Sequence, residues 1–430
     1  MASLVETAEL VRRGGASPLE LVTAAVRRCS ADDLGAVVHV AAERALAEAT
    51  GSLPDGPLRG VPVLVKDIVD VTGEVTRCGS LTTTSDAPAR ADAAVVRALR
   101  AAGAVVVGRT RTHEHAWGLT TQHEVLGGTA NPVDPARVPG GSSGGSAVAV
   151  ATGLVPLALG TDTACSLRLP AAWCGVVGHK PTHGLVDATG VSELAASLDH
   201  VGALTADVAD ARLALSVLAG LTLPVTRRDL RGLRVGLPTG PDLPLSADVA
   251  AVLAALVDRV TDAGAEVVEV TAPPAAQQWD CFVAVQAVEA LAHHRARGWW
   301  PDRASAYGSD VRGRLERAVG VTADQAAQAR QAREAIRAQV DAVFDDIDVL
   351  LSPVAGSGPS LRADPDHVLL DGARVELRSV VLPHTVLADL CGLPACAVPA
   401  GVDRDGLPVG VQVTGPRGAD AVVLDVAALL

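Results

Sequence analysis

Apolar residues along this chain fall into two rhythms, a helical spacing and short continuous runs, and the two alternate. Ser17-Pro18-Leu19-Glu20 joins a capping serine, a proline at the first helical position and a glutamate three residues on. It precedes Val22, Ala25, Val26 and Cys29 at helical spacing, which predicts a helix. Asp92 to Ala102 reads as another helix, stopped at Gly103, and Ala104-Val105-Val106-Val107 follows as a short apolar strand, half of a parallel βαβ unit. The pattern recurs: Ala247 to Ala263 is helical, Gly264 ends it, and Glu266-Val267-Val268-Glu269-Val270 is a strand. This alternation predicts an α/β fold, with helices covering a mostly parallel or mixed sheet. Residues 271–345 carry Trp279, Trp299 and Trp300 and a long helix opened by Thr322-Ala323-Asp324-Gln325, and they read as a helical subregion of one domain spanning 1–430. No internal repeat breaks the pattern.

Composition adds a large interior. The 430 residues are 49% hydrophobic, with 42 glycines and 26 prolines, which suits a big core punctuated by turns, and no apolar run reaches the length of a membrane span. The first residues lack the basic start and apolar stretch of a secretory signal, so a cytoplasmic location is expected. Seven cysteines, an odd count without paired spacing, read as free or buried thiols in a reducing compartment. The net charge of −13 weighs against nucleic acid or an anionic membrane as a partner. The histidines show no ligand-like spacing, no metal is expected, and His293-His294 falls on a surface face of its helix.

The candidate chemistry is concentrated. Gly140-Gly141-Ser142-Ser143-Gly144-Gly145-Ser146 is followed by Gly160-Thr161-Asp162-Thr163-Ala164-Cys165-Ser166-Leu167-Arg168, two small-residue loops whose serines Ser142 and Ser166 lie 24 residues apart. Such loops let a substrate approach backbone N–H groups that hold an oxyanion. Val63-Leu64-Val65-Lys66-Asp67 ends an apolar run with a lysine, where desolvation would free the amine to act as a base. Taken alone, the serine block reads as a loop or a helix start, and Lys66 as an edge lysine reaching water.

These segments resemble the amidase signature family, and so do Pro170-Ala171-Ala172 through Gly178-His179-Lys180-Pro181-Thr182, Asp348-Val349-Leu350-Leu351-Ser352-Pro353 and Gly392-Leu393-Pro394-Ala395. The resemblance implies a large twisted mixed sheet covered on both faces by helices. It also implies a Ser-cisSer-Lys triad with Lys66 as base, Ser142 as bridge after a cis peptide, and Ser166 as nucleophile. Amides of Thr163, Ala164, Cys165 and Ser166 would form the oxyanion hole, with Ser143, Asp162 and Arg168 supporting the site and no cofactor required. The expected activity is a hydrolase acting on a carboxamide of a small molecule, working alone or as a homodimer.

Three other readings stay open. One is a glutamine-dependent amidotransferase A-type subunit, which shares these motifs and needs a partner chain. Another is a weak or dead protein on this fold. The third is an α/β-hydrolase, because Gly141-Ser142-Ser143-Gly144-Gly145 satisfies G-x-S-x-G with Ser143 as nucleophile, although the proline-rich segment before it suits no buried strand. The chain departs from the family where Ala164-Cys165 replaces the usual Gly-Gly and His183 stands where many relatives carry tyrosine. Negative φ at both residues would preserve the hole, and Cys165 would then wall the acyl pocket.

Overall fold

A computed structural model describes residues 3–240 and 243–430. Eleven of its strands form one mixed sheet, edged by Val37–Val40 on one side and Glu266–Thr271 on the other. The strand Pro62–Lys66 runs parallel to both its neighbours, Val105–Thr110 and Leu157–Asp162, whereas the middle of the sheet is antiparallel.

Two cores follow from the period of a strand. Val63 and Val65 enter one apolar cluster and Leu64 the other, because successive side chains leave opposite faces of the sheet. Ala94–Ala101, Val208–Ala219 and Asp420–Ala427 bury their apolar stripes in the first cluster. Pro18–Ser30, Gly144–Ala151 and Leu377–Leu390 bury theirs in the second. Helices therefore cover both faces, as the sequence implied. By the same alternation Lys66, two residues after Leu64, belongs to the face that Gly144–Ala151 covers.

The anticipated elements form close to their sequence limits. Pro18–Ser30 begins with a capping box between Ser17 and Glu20, and Ala323–Val343 with one between Thr322 and Gln325. The helix Ala247–Asp262 leads into Glu266–Thr271, which pairs in parallel with Arg234–Thr239. Residues 271–345 are largely helical, as expected. His294, however, is fully buried and not on a surface: its Nδ1 lies 2.7 Å from the Tyr307 hydroxyl and its ring packs on His115 and Trp299. Its helix, Ala275–Ala296, is covered by Ser309–Val319, Ala323–Val343 and Leu377–Leu390, so it has little outer face left. All seven cysteines are free and buried, and no helix among the described residues is long and apolar enough to cross a membrane.

Candidate active site

Two parallel strands bring the first pieces together. Lys66 ends Pro62–Lys66, Thr161 is the penultimate residue of Leu157–Asp162, and the two strands are in register from Val63 and Leu157 onward. Lys66 Nζ lies 2.7 Å from Ser142 Oγ and 2.8 Å from Thr161 Oγ1, in a fully buried position. Ser142 is carried there by the loop entering the helix Gly144–Ala151. Gly140 in that loop has φ +86° and packs on Pro170, a conformation that glycine adopts without strain. The Gly141–Ser142 peptide is cis, as the family resemblance implied.

Ser143 is buried, and its hydroxyl donates to the Thr161 carbonyl at 3.2 Å. Its amide donates to the Ser166 carbonyl at 3.3 Å, which ties the two serine loops together. No strand among the described residues precedes it between 129 and 143, so the strand-turn-helix of an α/β-hydrolase is missing.

Burial pulls the Lys66 amine down to about 7, and the carboxylates of Asp162 and Asp199 only partly oppose it. Asp199 accepts from Thr163 Oγ1 at 2.6 Å and from the amides of Leu194 and Ala195, while its own burial pushes it up to about 6. Asp162 and Arg168 form a buried pair, Nε to Oδ2 at 3.0 Å, and the same carboxylate accepts the Leu167 amide at 3.1 Å. Arg168 also reaches Asp389 at 2.5 Å, Gln412 Oε1 at 2.8 Å and the Thr385 carbonyl at 3.0 Å. Burial alone would lower its pKa, but Asp162 and Asp389 reverse the direction and raise it. The Thr161, Asp199, Asp389 and Gln412 contacts were not anticipated. Thr161 stands inside the quoted Gly160 block, whereas Asp389 and Gln412 join Arg168 across more than 200 residues of chain without a local signal.

Ser166 lies on the floor of a cavity of about 310 Å³. Among the described residues the amides of Thr163, Ala164, Cys165 and Ser166 donate to no protein acceptor, so none of the four is spent on the fold. Neither Ala164 nor Cys165 has a positive φ, which is the arrangement that keeps such a loop intact with Cβ atoms present. Cys165 is not a pocket wall, however. It is fully buried, its sulfur directed at the Gly141 carbonyl 3.9 Å away, and burial pushes the thiol well up. Ala164 lines the cavity instead. His183 also stays off the wall and bonds the Ala196 carbonyl.

The cavity has an apolar flank, Trp117, Trp279, Phe282 and Leu382, and a charged rim, Arg314, Arg317, Glu376 and Arg378. Of the three tryptophans in the helical subregion only Trp279 reaches it; Trp299 is buried beside His115 and donates to Asp86. Arg314 holds Asp310 through two contacts of 2.9 and 2.6 Å, and Arg378 lies 3.7 Å from the same carboxylate. Arg317 forms no ion pair among the described residues.

The profile of the Amidase family matches residues 20–424. The A-type subunit of glutamyl-tRNA(Gln) amidotransferase from Synechococcus sp. is 33% identical over 97% of this chain and 94% of the relative. A crystal structure of an amidase superposes with TM-score 0.92 at 33% identity, covering 99% of this chain and 98% of that one. The A-type glutamyl-tRNA(Gln) amidotransferase subunit of Thermotoga maritima superposes with TM-score 0.77 at 28% identity, covering 95% and 90%. Two of these relatives are by name subunits of an enzyme for a transfer RNA. They correct the expectation of a lone or homodimeric enzyme for a small-molecule amide with no nucleic acid in its assembly. That expectation leaned on net charge, which describes one chain and not the surfaces its partners contribute.

Proposed function

The chain belongs to the amidase family, and from that premise we propose that it is the amide-hydrolysing subunit of an amidotransferase, taking ammonia from glutamine for a partner subunit that acts on glutamyl-tRNA. The observation that carries the chemistry is the 2.7 Å approach of Lys66 Nζ to Ser142 Oγ, in a loop that the Ser143 amide ties to the Ser166 carbonyl at 3.3 Å. An amine held at about 7 is half neutral near pH 7, and a neutral amine accepts a proton.

In the proposed cycle Ser142 passes a proton to Lys66 as it takes one from Ser166, whose oxygen attacks the side-chain carboxamide carbon. The new oxyanion is held by the free amides between Thr163 and Ser166, which are preorganised before charge develops. As the C–N bond breaks, the proton returns through Ser142 to the leaving nitrogen. Ammonia departs and a glutamyl ester remains on Ser166. Water then attacks the ester by the same relay in reverse and restores the serine. Asp162, held by Arg168, anchors the amide of Leu167 and so fixes the curl of the nucleophile loop.

The rim supports glutamine as the carboxamide. Arg317, which forms no ion pair among the described residues, offers a cation to an α-carboxylate, and Glu376 offers a carboxylate to an α-ammonium. A bare aliphatic amide would leave both unused, whereas a zwitterion pairs them. The test is glutamine against a panel of aliphatic and aryl amides, with the purified chain by itself and then with its partner, ammonia release and intact-mass analysis being read together. A glutamyl adduct on Ser166 and a KM for glutamine at least tenfold higher in Arg317→Ala are expected. Turnover of aryl amides with glutamine inert overturns the amidotransferase assignment, and an acyl adduct on a serine other than Ser166 overturns the nucleophile.

A further inference from the structure

The helix Ala275–Ala296 turns one stripe towards the cavity over Ser166, namely Trp279, Phe282, Val283, Gln286 and Ala287, at the spacing of a single helical face. Four of the five are apolar. The fifth, Gln286, is 8% exposed, so a primary carboxamide is set into an otherwise apolar stripe with less than a tenth of its surface free. A buried carboxamide needs partners at both ends. Its Oε1 accepts from Trp117 Nε1 at 2.8 Å. An indole nitrogen can only donate, so this contact decides which end of the amide is oxygen and turns the NH2 group the other way.

That NH2 group has no protein acceptor among the described residues, and unlike the carboxamide oxygen of Gln278 it is not sealed inside the protein. The space open to it is the cavity that Gln286 lines. Neighbouring polar groups on the wall are already engaged: Thr163 Oγ1 donates to Asp199, and Arg314 holds Asp310. Trp117, which orients the amide, is itself held. His115 and Ala116 just before it have φ of +48° and +58°, in the left-handed region that side chains rarely adopt. The Arg314 guanidinium lies 5.8 Å from the centre of the Trp117 ring. Backbone strained in this way persists where the surrounding structure over-determines it, and it clusters at ligand sites.

We propose that Gln286 selects the substrate: its Nε2–H donates to an acceptor oxygen other than the scissile one, so the amides taken at Ser166 carry a second carbonyl or carboxylate. The assignment rests on the reading that Ser166 takes a carboxamide, to whose own oxygen the amides of the Thr163–Ser166 loop donate. A site that aims a buried donor at its substrate discriminates against the analogue lacking the acceptor, because the donor then stays unpaired. The α-carboxylate of glutamine meets the requirement, and so does the second carbonyl of a neutral diamide. Simple aliphatic and aryl monoamides do not.

The test titrates three five-carbon amides, glutaramide, glutaramate and valeramide, into the full chain carrying Ser166→Ala, alone and combined with Gln286→Met. Glutaramide and glutaramate present a carbonyl and a carboxylate at the end where valeramide has a methyl group. In Ser166→Ala both should bind at least about tenfold tighter than valeramide, and Gln286→Met should cut the advantage of glutaramide to about twofold or less. Glutaramate should keep part of its advantage there, because Arg317 still meets a carboxylate. Crystals of Ser166→Ala soaked with glutaramide should place its second carbonyl within about 3.2 Å of Gln286 Nε2, and they decide the matter even where the Gln286 variant does not fold. Equal affinities for glutaramide and valeramide in Ser166→Ala, or a glutaramide preference that survives Gln286→Met, overturn the proposal. Acylation of Ser166 in the wild-type chain is read separately, so a missing adduct with the preference intact removes the hydrolysis reading and leaves the Gln286 assignment standing.

Discussion

Replacing Lys66 with methionine should make the protein more stable and inactive at once. The amine sits at about 7 against its ordinary 10.5, so between those values the unfolded chain holds a proton that the folded chain has released. Stability therefore rises with pH across that window and is flat outside it. At about 1.4 kcal/mol per pH unit, the gap is a penalty of about 5 kcal/mol below pH 7 that vanishes by pH 10.5. Against it stand the contacts to Ser142 and Thr161, worth about 1 kcal/mol each. Methionine fills similar space, so Lys66→Met should be about 3 kcal/mol more stable than wild type at pH 6. Parity should come near pH 9, and by pH 10.5 the variant should be the less stable by about 2 kcal/mol. Urea unfolding of both proteins from pH 6 to 10.5 measures this. A variant less stable than wild type at pH 6, or a difference that does not narrow between pH 7 and 10, would refute the reasoning.

Ser166→Ala and Lys66→Arg should each lower ammonia release from the amide substrate by at least about a thousandfold, arginine failing because it cannot give up its proton, and the two combined should add little. The kcat/KM profile should fall on the acid side with a midpoint near pH 7, the value burial imposes on Lys66, and a flat profile from pH 5.5 to 8 would remove its role as base. Cys165→Ala should cost about 1 kcal/mol in urea unfolding yet leave the relative rates of small and bulky amides within about twofold, since the sulfur points away from the cavity. Arg168→Met leaves Asp162 and Asp389 buried without their partner and should lower stability by about 3–5 kcal/mol; a wild-type unfolding midpoint would contradict that account.

What the sequence discloses is what local spacing encodes. The helices opened by Ser17 and Thr322 are legible because a capping box is a four-residue signal, and the strand ending at Lys66 because Val63-Leu64-Val65 is an apolar run, whereas the lysine taken alone reads as an edge residue and its role comes from the family resemblance. Loop side chains are harder. Cys165 stands between Ala164 and Ser166 on the page, yet the turn there sends its sulfur to Gly141 while both neighbours face the cavity. His294 is illegible for a different reason: helical spacing marks one buried face, and Ala275–Ala296 is covered by three other helices. Asp389 and Gln412 carry no signal at all, since what makes them part of the site is a meeting with Arg168 that only tertiary folding creates.

Lys66, Ser142, Thr161, Asp162 and Ser166 all come from the first 166 residues, whereas Trp279, Phe282, Arg317, Glu376, Arg378 and Leu382 come from 279–382. Apart from Trp117, Leu119 and Leu194, which the first stretch lends to the cavity wall, reaction and recognition are thus written in separate stretches of the gene, so a crossover placed between residues 200 and 275 would exchange most of the wall without rewriting the reaction. Arg168 is the latch between them. It is fastened to Asp389, Thr385 and Gln412 on the far stretch, and a chimera should assemble only when the incoming segment brings a carboxylate and an amide to those two side-chain positions. Family members would then be free to trade substrate walls as cassettes, with the latch deciding which exchanges fold.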